Sequence, residues 1–248
     1  MSVRELIHTL LGYLRSVFCA KGDKYQNEST VIEMSKFGNV MVHLDPGHAS
    51  TTSGKRSSYL CSGVLPALEL YEWRFNRDLV DRISYKLRDL GFCVNNVCPE
   101  NDVDVKLTER ANRANRVKCN NPDKRHLFVS VHANAHGNGS EWTSARGWSV
   151  FTTEGQNNSD KLAECLFEVA EKMLPEYGMT VRRDRSDGDN DWESNFTVIK
   201  NANMPAILVE NMFYTNVKDT EFMLSETGKE VLSDIHVNGI VRYCEKYM

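Results

Sequence analysis

Apolar runs of strand length alternate along this chain with longer segments in which apolar residues recur at helical spacing. The short runs favour β-strands, and the longer segments favour amphipathic helices. The predicted strands cover residues 39–44, 92–97, 126–132, 147–152 and 206–210. The predicted helices cover residues 68–90, 107–117 and 159–174 and a carboxyl-terminal segment around 231–243.

This order of elements predicts an α/β fold, in which helices cover a largely parallel sheet. Functional sites in such sheets gather at the carboxyl ends of the strands. His48, His132 and Glu210 each sit at or just beyond the end of an apolar run. These three side chains are therefore of interest together.

The polar segments between these elements are predicted to be loops and helix ends. Ser159 is the predicted cap of the third helix, because a serine hydroxyl can accept a hydrogen bond from a free amide of the first turn. The acidic stretch 184–193 is predicted to be a solvated loop. Its aspartates at 184, 187, 189 and 191 do not follow the spacing of a calcium-binding loop.

The amino-terminal region differs from the rest of the chain. Residues 1–38 are predicted to form a helical extension, and residues 39–248 the main domain. Leu6, Leu10 and Leu14 recur at helical spacing without a clean basic segment before them, which favours an amphipathic helix over the alternative of a signal peptide or anchor. No run reaches the ~18 apolar residues that a membrane span needs.

The amino-acid composition limits which cellular compartment and which classes of binding partner are expected. The apolar content of 41% and the charged content of 26% are those of an ordinary soluble protein. A net charge of -4 gives no electrostatic reason to expect a nucleic acid partner. Seven cysteines, an odd number without a C-x-x-C pair, suit synthesis in a reducing cytosol.

Two histidines and one acid would complete a catalytic zinc site, which usually has three protein ligands and an open position for water. His48 and His132 end predicted strands, and Glu72, near the start of the first predicted helix, could supply the carboxylate. By spacing alone, such histidines are more often ordinary polar residues, and a helical glutamate is normally solvated. His43 is expected to pack within its strand, and His126 to lie at the surface.

Glu210 stands in a different setting, directly after the apolar residues 206–209. A carboxyl group at the edge of a dry region has a raised pKa, which suits general acid–base catalysis. A glutamate that points from the strand end into water is the alternative.

Six short blocks with polar residues follow one another in a definite order. They are residues 44–48 (LDPGH), 72–76 (EWRFN), 107–115 (LTERANRAN), 130–134 (SVHAN), 146–147 (RG) and 204–210 (MPAILVE). Each block alone is a weak signal, but the ordered set resembles the zinc-dependent N-acetylmuramoyl-L-alanine amidases of the Amidase_3 type. The resemblance covers roughly residues 39–246.

The resemblance implies a fold, a cofactor and an activity. The fold would have three layers, with a mixed, mostly parallel sheet between helices, of the phosphorylase/hydrolase-like type. His48, Glu72 and His132 would be ligands of Zn²⁺, and Glu210 would be catalytic. The implied reaction is hydrolysis of the amide between the lactyl group of muramic acid and L-alanine in peptidoglycan.

Several alternatives stay open at this point. Glu69 is close to Glu72, although the spacing to Asn76 favours Glu72 as the ligand. A non-catalytic wall-binding module on the same fold would need a broken ligand set, and a zinc peptidase would cut another stem-peptide bond. An amidase without a clear signal peptide would be a phage or prophage lysin, or else a bacterial wall-remodelling enzyme. In either setting it would act in the periplasm or outside the cell.

Overall fold

The computed structural model describes residues 36–57, 68–137 and 141–248, and the predicted amino-terminal helix lies outside these ranges. The strands are β1 (Val40–Pro46), β2 (Cys93–Asn96), β3 (Arg125–Asn134), β4 (Ser149–Thr152), β5 (Trp192–Glu193) and β6 (Ala206–Phe213). The helices are α1 (Glu72–Asp89), α2 (Leu107–Asn120), α3 (Asn158–Met173), α4 (Thr197–Lys200), α5 (Val217–Leu224) and α6 (Glu226–Tyr247), and a 3-10 turn (Leu174–Tyr177) follows α3.

The strands form one sheet in the order β2-β1-β3-β6-β4-β5. Strands β1, β2, β3 and β6 run parallel, while β4 is antiparallel to β6 and β5 is parallel to β4. The sheet is therefore mixed and mostly parallel, as the family resemblance implied. None of the helices in the described ranges combines the length and the apolar character that crossing a membrane requires.

Helices cover both faces of this sheet. Successive residues of a strand point to opposite faces, so each strand feeds two cores. Val129 and Val209 belong to the larger core, with apolar residues of α1, α3 and α6. Phe128 and Leu208 belong to the smaller core, with residues of α2 and α4. The three-layer prediction is thus confirmed.

Helix α1 begins at Glu72, and the prediction that it starts at residue 68 is wrong. The residue before it, Tyr71, is extended, with φ -102° and ψ 121°. The amide of Ser57 donates to the carbonyl of Leu70 (2.8 Å), and the amide of Glu72 donates to the carbonyl of Lys55 (3.0 Å). These bonds hold the segment before α1 extended against the preceding loop.

Helix α3 is capped by Asn157 and not by the predicted Ser159. The side chain of Asn157 accepts from the amide of Ser159 (2.8 Å), and the carboxylate of Asp160 accepts from the amide of Asn157. This reciprocal pair is a capping box. The hydroxyl of Ser159 instead accepts from the amide of Ala206 (3.1 Å) and so ties α3 to the start of β6.

His43 and His126 form a buried pair on neighbouring strands, so the predicted surface position of His126 is wrong. Nε2 of His43 lies 3.0 Å from Nδ1 of His126. Asn95 Nδ2 donates to Nδ1 of His43 (2.9 Å), and Nε2 of His126 donates to the carbonyl of Asn121 (2.9 Å). This chain of donors requires both rings to be neutral, and burial lowers the pKa of His43 to about 4.

The acidic segment 184–193 is solvated only in part. Residues 185–188 are exposed, as predicted, but Asp191 is buried, with 2% of its surface accessible. Trp192 is paired with Phe151 of β4, and this pairing draws the end of the segment onto the sheet. The prediction of a wholly solvated loop is therefore wrong at Asp191.

Candidate metal centre and active site

The four residues singled out by the sequence meet at the carboxyl edge of the sheet. His48 follows β1, Glu72 is the first residue of α1, and His132 lies near the end of β3. Glu210 lies on β6, where its Cα is the register partner of His132. Because β1, β3 and β6 run in the same direction, their carboxyl ends bring these side chains together.

His48, Glu72 and His132 form one compact group, in which each offers a ligand atom within 4.8 Å of the other two. Nε2 of His48 lies 3.3 Å from Oε2 of Glu72, and Nδ1 of His132 lies 3.1 Å from Oε1 of Glu72. The amide of Ala133 also donates to Oε1 of Glu72 (3.1 Å). Oε2 of Glu72 is buried without a hydrogen-bond partner among the described residues. Two imidazoles and a carboxylate with an unsatisfied oxygen are a donor set that fits a divalent metal.

The electrostatics of this group keep Glu72 ionised. Burial by itself would raise the pKa of Glu72, but contacts with His132 and His48 outweigh burial and lower the pKa well below its ordinary value. Burial likewise opposes a charge on His132, yet Glu72 raises the pKa of His132. The group therefore offers a fixed negative charge to a cation.

Gly47 provides the space that the ring of His132 occupies. A Cβ at position 47 would lie 2.2 Å from Cε1 and 2.5 Å from Nδ1 of His132. The amide of Gly47 donates to the carbonyl of Val131 (3.0 Å), so the turn is bonded to the strand that carries His132. His48 itself has φ 62°, a left-handed conformation that costs roughly 1–3 kcal/mol outside glycine.

Two side chains of α1 hold this strained turn. Nδ2 of Asn76, which is fully buried, donates to the carbonyl of Gly47 (3.2 Å). Nη1 of Arg77 donates to the carbonyl of His48 (2.8 Å). Helix α1 thus supplies one member of the ligand group and fixes the backbone that carries another.

Arg110 of α2 fixes the residues just before the turn. Nη1 of Arg110 donates to Oδ1 of Asp45 (2.8 Å) and to the carbonyl of Pro46 (2.8 Å). The hydroxyl of Ser130 donates to the other carboxylate oxygen of Asp45 (2.7 Å). Arg110 and Asp45 are both buried, so each charge depends on the other.

The backbone of His132 is held from the other side by Asn211. Nδ2 of Asn211 donates to the carbonyl of His132 (3.1 Å), and Nε2 of His236 donates to Oδ1 of Asn211 (3.1 Å). Burial lowers the pKa of His236 to about 3, so its ring is neutral. Neither Asn211 nor His236 was predicted from the sequence, although Asn211 directly follows Glu210 and that position was a usable signal.

Glu210 lies beside the ligand group and is not a member of it. Its Oε2 is buried, and no hydrogen-bond partner for it exists in the described ranges. Burial raises the pKa of Glu210 to about 8; the imidazole of His132 opposes this shift and the charge of Glu72 adds to it. A carboxyl group that exchanges protons near neutral pH suits general acid–base catalysis.

The alternative ligand Glu69 and the motif residue Arg146 both fall outside the centre. Glu69 is exposed and accepts a hydrogen bond from the hydroxyl of Tyr71 (2.5 Å), so it is not in the ligand group. Arg146 pairs with buried Asp219 (3.6 Å). Beside the ligand group, a cavity of about 390 Å³ opens over the start of α2 and is large enough to hold part of a peptide.

Fold and site together define an α/β protein with a His–Glu–His group that could hold a metal and a free carboxyl group beside it. Residues 42–242 match the family Amidase_3, N-acetylmuramoyl-L-alanine amidase. Because this match covers most of the chain, the protein belongs to that family of hydrolases.

Individual relatives agree with this assignment. Over 204 residues and 82% of its length, the chain is 30% identical to the N-acetylmuramoyl-L-alanine amidase LytC of Bacillus subtilis. It is 25% identical to the endolysin of Bacillus phage SPP1 over 81% of its length. The chain spans 35% of the length of LytC and 64% of the length of the endolysin.

Solved structures share the fold. AmiC2 of Nostoc punctiforme, an N-acetylmuramoyl-L-alanine amidase, superposes with a TM-score of 0.66 at 23% identity, over 85% of this chain and 99% of the other. An N-acetylmuramoyl-L-alanine amidase from Clostridium difficile 630 superposes with a TM-score of 0.64 at 24% identity, over 85% and 100%. At these identities the likeness supports the architecture described above.

Proposed function

We propose that this protein hydrolyses the amide bond between the lactyl group of muramic acid and the first L-alanine of the peptidoglycan stem peptide. His48, Glu72 and His132 would hold Zn²⁺, and Glu210 would transfer protons. The observation that carries the proposal is the buried, partner-free carboxylate oxygen of Glu210 beside a compact His–Glu–His group, in the described part of the chain. Membership of the family supports the choice of bond.

The residues of the chain have distinct duties in this reaction. Zn²⁺ bound by three protein ligands would polarise the scissile carbonyl and lower the pKa of water at the open position. Glu210 would take a proton from the attacking water and deliver it to the leaving nitrogen of L-alanine. Glu72 stays ionised throughout, because His48 and His132 lower its pKa.

Arg182 is our candidate for contact with a carboxylate of the stem peptide. Its guanidinium lies 4.9 Å from the ring centre of Trp192 and 5.1 Å from that of Phe213, a cation–π arrangement. Its positive charge opposes the rise in the pKa of Glu210, which favours a position close enough to the active site to reach bound substrate. Within the described ranges no carboxylate pairs with Arg182, whereas neighbouring Arg183 pairs with Glu171 (2.7 Å).

Digestion of purified sacculi tests the proposed reaction. Mass spectrometry is expected to find stem peptides with a free L-alanine amino terminus and glycan with a free lactyl carboxylate. The Glu210→Gln variant keeps the size of the side chain but cannot accept the proton. It should retain zinc and lose turnover by roughly 100-fold or more.

The same experiment distinguishes the alternatives. Cleavage of another stem-peptide bond would replace the amidase assignment with that of a zinc peptidase. Tight binding to sacculi without any release of fragments by the zinc-loaded protein would indicate a wall-binding module. Glu69→Gln serves as the matched control, because Glu69 is exposed and outside the ligand group; it should leave zinc content and turnover unchanged.

Two cellular settings fit this activity, a phage or prophage lysin and a bacterial wall-remodelling enzyme. The similarity to both an endolysin and LytC is compatible with either. Fusing residues 1–22 to a reporter and measuring its export would decide between them, since a remodelling enzyme needs a route across the membrane.

A further inference from the structure

A second group of acids lies outside the active site. Asp160, Asp189 and Asp191 each offer a carboxylate oxygen within 4.8 Å of the other two. Asp160 is in the first turn of α3, and the other two end the acidic segment that leads into β5. Ligand atoms from a helix and a separate loop converge here, which explains why the spacing of the acidic stretch alone did not reveal the group.

This acidic group is at the far end of β4 from the active site. Ser149, the first residue of β4, is the register partner of Glu210. Thr152, the last residue of β4, donates its hydroxyl proton to Oδ2 of Asp191 (2.6 Å). The acids therefore lie away from the carboxyl edge that carries the ligand group, and a role in the amidase reaction is not expected of them.

Two carboxylate oxygens of the group are buried and unsatisfied. Asp191 and Asp160 expose 2% and 6% of their surface. Oδ1 of Asp191 and Oδ1 of Asp189 have no hydrogen-bond partner anywhere in the described ranges. Buried polar atoms without partners are rare and costly in native proteins, so each of these oxygens is expected to contact a bound proton or cation.

The protein supplies little positive charge to balance the group. Nε2 of Gln156 donates to Oδ2 of Asp189 (2.8 Å), and the amide of Asn157 donates to Asp160. Both donors are neutral, and no lysine or arginine of the described segments forms an ion pair with any of the three acids. Burial and the neighbouring carboxylates raise the pKa of Asp191 to about 7. A bound proton or a bound cation must therefore neutralise part of the charge.

We propose that Asp160, Asp189 and Asp191 bind a divalent cation of the calcium type. A site built only of carboxylate oxygens suits a hard cation and disfavours zinc, which prefers nitrogen and sulfur ligands. The free Oδ1 atoms of Asp189 and Asp191 are the natural ligands, and water would complete the coordination of the ion beside half-buried Asp189. The ion would fasten the acidic segment to α3 and thereby order its exposed tip, residues 185–188.

Calcium binding to the full chain tests this proposal. The protein is first freed of metals and given one equivalent of Zn²⁺, and radioactive calcium is then added in equilibrium dialysis. Wild-type protein is expected to bind one Ca²⁺ per chain. Asp191→Asn and Asp189→Asn should lose this binding, while Asp187→Asn, a change in the exposed tip of the same segment, should keep it.

Stability and proteolysis supply two further measurements. At about 100-fold excess over Kd, Ca²⁺ should raise the Tm of the wild type by roughly 5–10 °C. It should also slow tryptic cleavage after exposed Arg185. Because Asp191→Asn removes a repulsive charge, this variant should be at least as stable as the metal-free wild type, so loss of binding cannot be attributed to unfolding.

Two outcomes would overturn the proposal. One is the absence of binding and of any Tm shift with Ca²⁺, Mg²⁺ and Mn²⁺; the pair Asp189 and Asp191 would then share a proton. In that case, Tm should fall as the pH rises through about 7, whether or not a cation is present, because the pKa of Asp191 is raised in the folded state. The other is unchanged Ca²⁺ binding by Asp191→Asn. An equal response to Mg²⁺ or Mn²⁺ would support a site for hard divalent cations in general.

Discussion

The ring of His132 fills the volume that a side chain at Gly47 would need, since a Cβ there would lie 2.2 Å from Cε1 of the ring. We expect Gly47→Ala to displace His132, lower zinc content and reduce activity on sacculi by roughly 100-fold, because a shift of about 1 Å can cost that much. Gly239→Ala is the matched control, because it also crowds a glycine but does so away from His132. Its Cβ would lie 2.7 Å from Cα of Leu166 in the core, so it should lower Tm while activity per folded molecule persists.

The proposed zinc ligands make a second prediction. Glu72→Gln removes the charge between His48 and His132, and we expect substoichiometric zinc by emission spectroscopy and loss of turnover. His132→Ala should lose metal as well. Stoichiometric zinc in either variant would show that the ion is held elsewhere.

The buried pair of Arg110 and Asp45 predicts a large effect on stability. Arg110→Ala leaves the carboxylate of Asp45 buried without its partner, so the free energy of unfolding in denaturant should fall by about 3–5 kcal/mol. Arg116→Ala is the control, because Arg116 and Glu109 form an exposed pair whose loss should cost roughly 0–1 kcal/mol. Similar losses in the two variants would mean that burial of the first pair does not matter.

The lowered pKa of His43 predicts a specific dependence of stability on pH. The unfolded histidine binds a proton near its ordinary pKa of 6.5, whereas the folded one resists protonation down to about 4. His43 therefore contributes stability above pH 6.5 that is lost as the pH falls towards 4, a loss of about 3 kcal/mol. Between pH 4 and pH 6.5, the free energy of unfolding of His43→Gln should depend less steeply on pH than that of the wild type. An unchanged slope would contradict this account. His136→Gln, at the surface, is the control.

Arg182 predicts an effect on substrate binding. Arg182→Ala should raise KM for soluble muropeptides by roughly 10–100-fold with a smaller change in kcat, because a charged hydrogen bond to the substrate is lost. Amidation of the stem-peptide carboxylates should remove the difference between wild type and variant. Arg183→Ala is the matched control, since Arg183 already pairs with Glu171; an equal rise in KM there would refute the assignment.

The meeting of His48, His132 and Glu210 at one edge of the sheet was predictable from the sequence for a physical reason. Apolar runs mark buried strands, and the carboxyl ends of parallel strands lie at one edge of a sheet. Polar residues that end or follow the runs 39–44, 126–132 and 206–210 must therefore gather at that edge.

Glu72 instead starts a helix, and its selection rested on the resemblance of residues 72–76 to a family motif. The pattern of motifs also singled out Arg110. Its role, a buried bond to Asp45, emerges only when α2 is placed against β1.

Other features escaped prediction because they depend on contacts between distant segments. The apolar residues near Leu70 fit a helix locally, but backbone bonds to Ser57 hold them extended. The position of His126 at the start of a strand predicts a surface residue, but the contact with His43 on the neighbouring strand keeps it buried. Asp191 lies in an acidic stretch typical of solvated loops, and only the pairing of β5 with β4 shows that it is buried.

The two acid-containing groups at opposite ends of β4 change how inhibition by chelators should be interpreted. A general chelator such as EDTA would strip oxygen-bound and nitrogen-bound ions alike, so lost activity in its presence could reflect a loosened scaffold as well as an empty centre. A nitrogen-donor chelator that prefers zinc would empty only the histidine centre and leave the carboxylate group untouched. Comparing the two chelators on one sample therefore distinguishes loss of the ion at the histidine centre from loss of the ion at the carboxylate group.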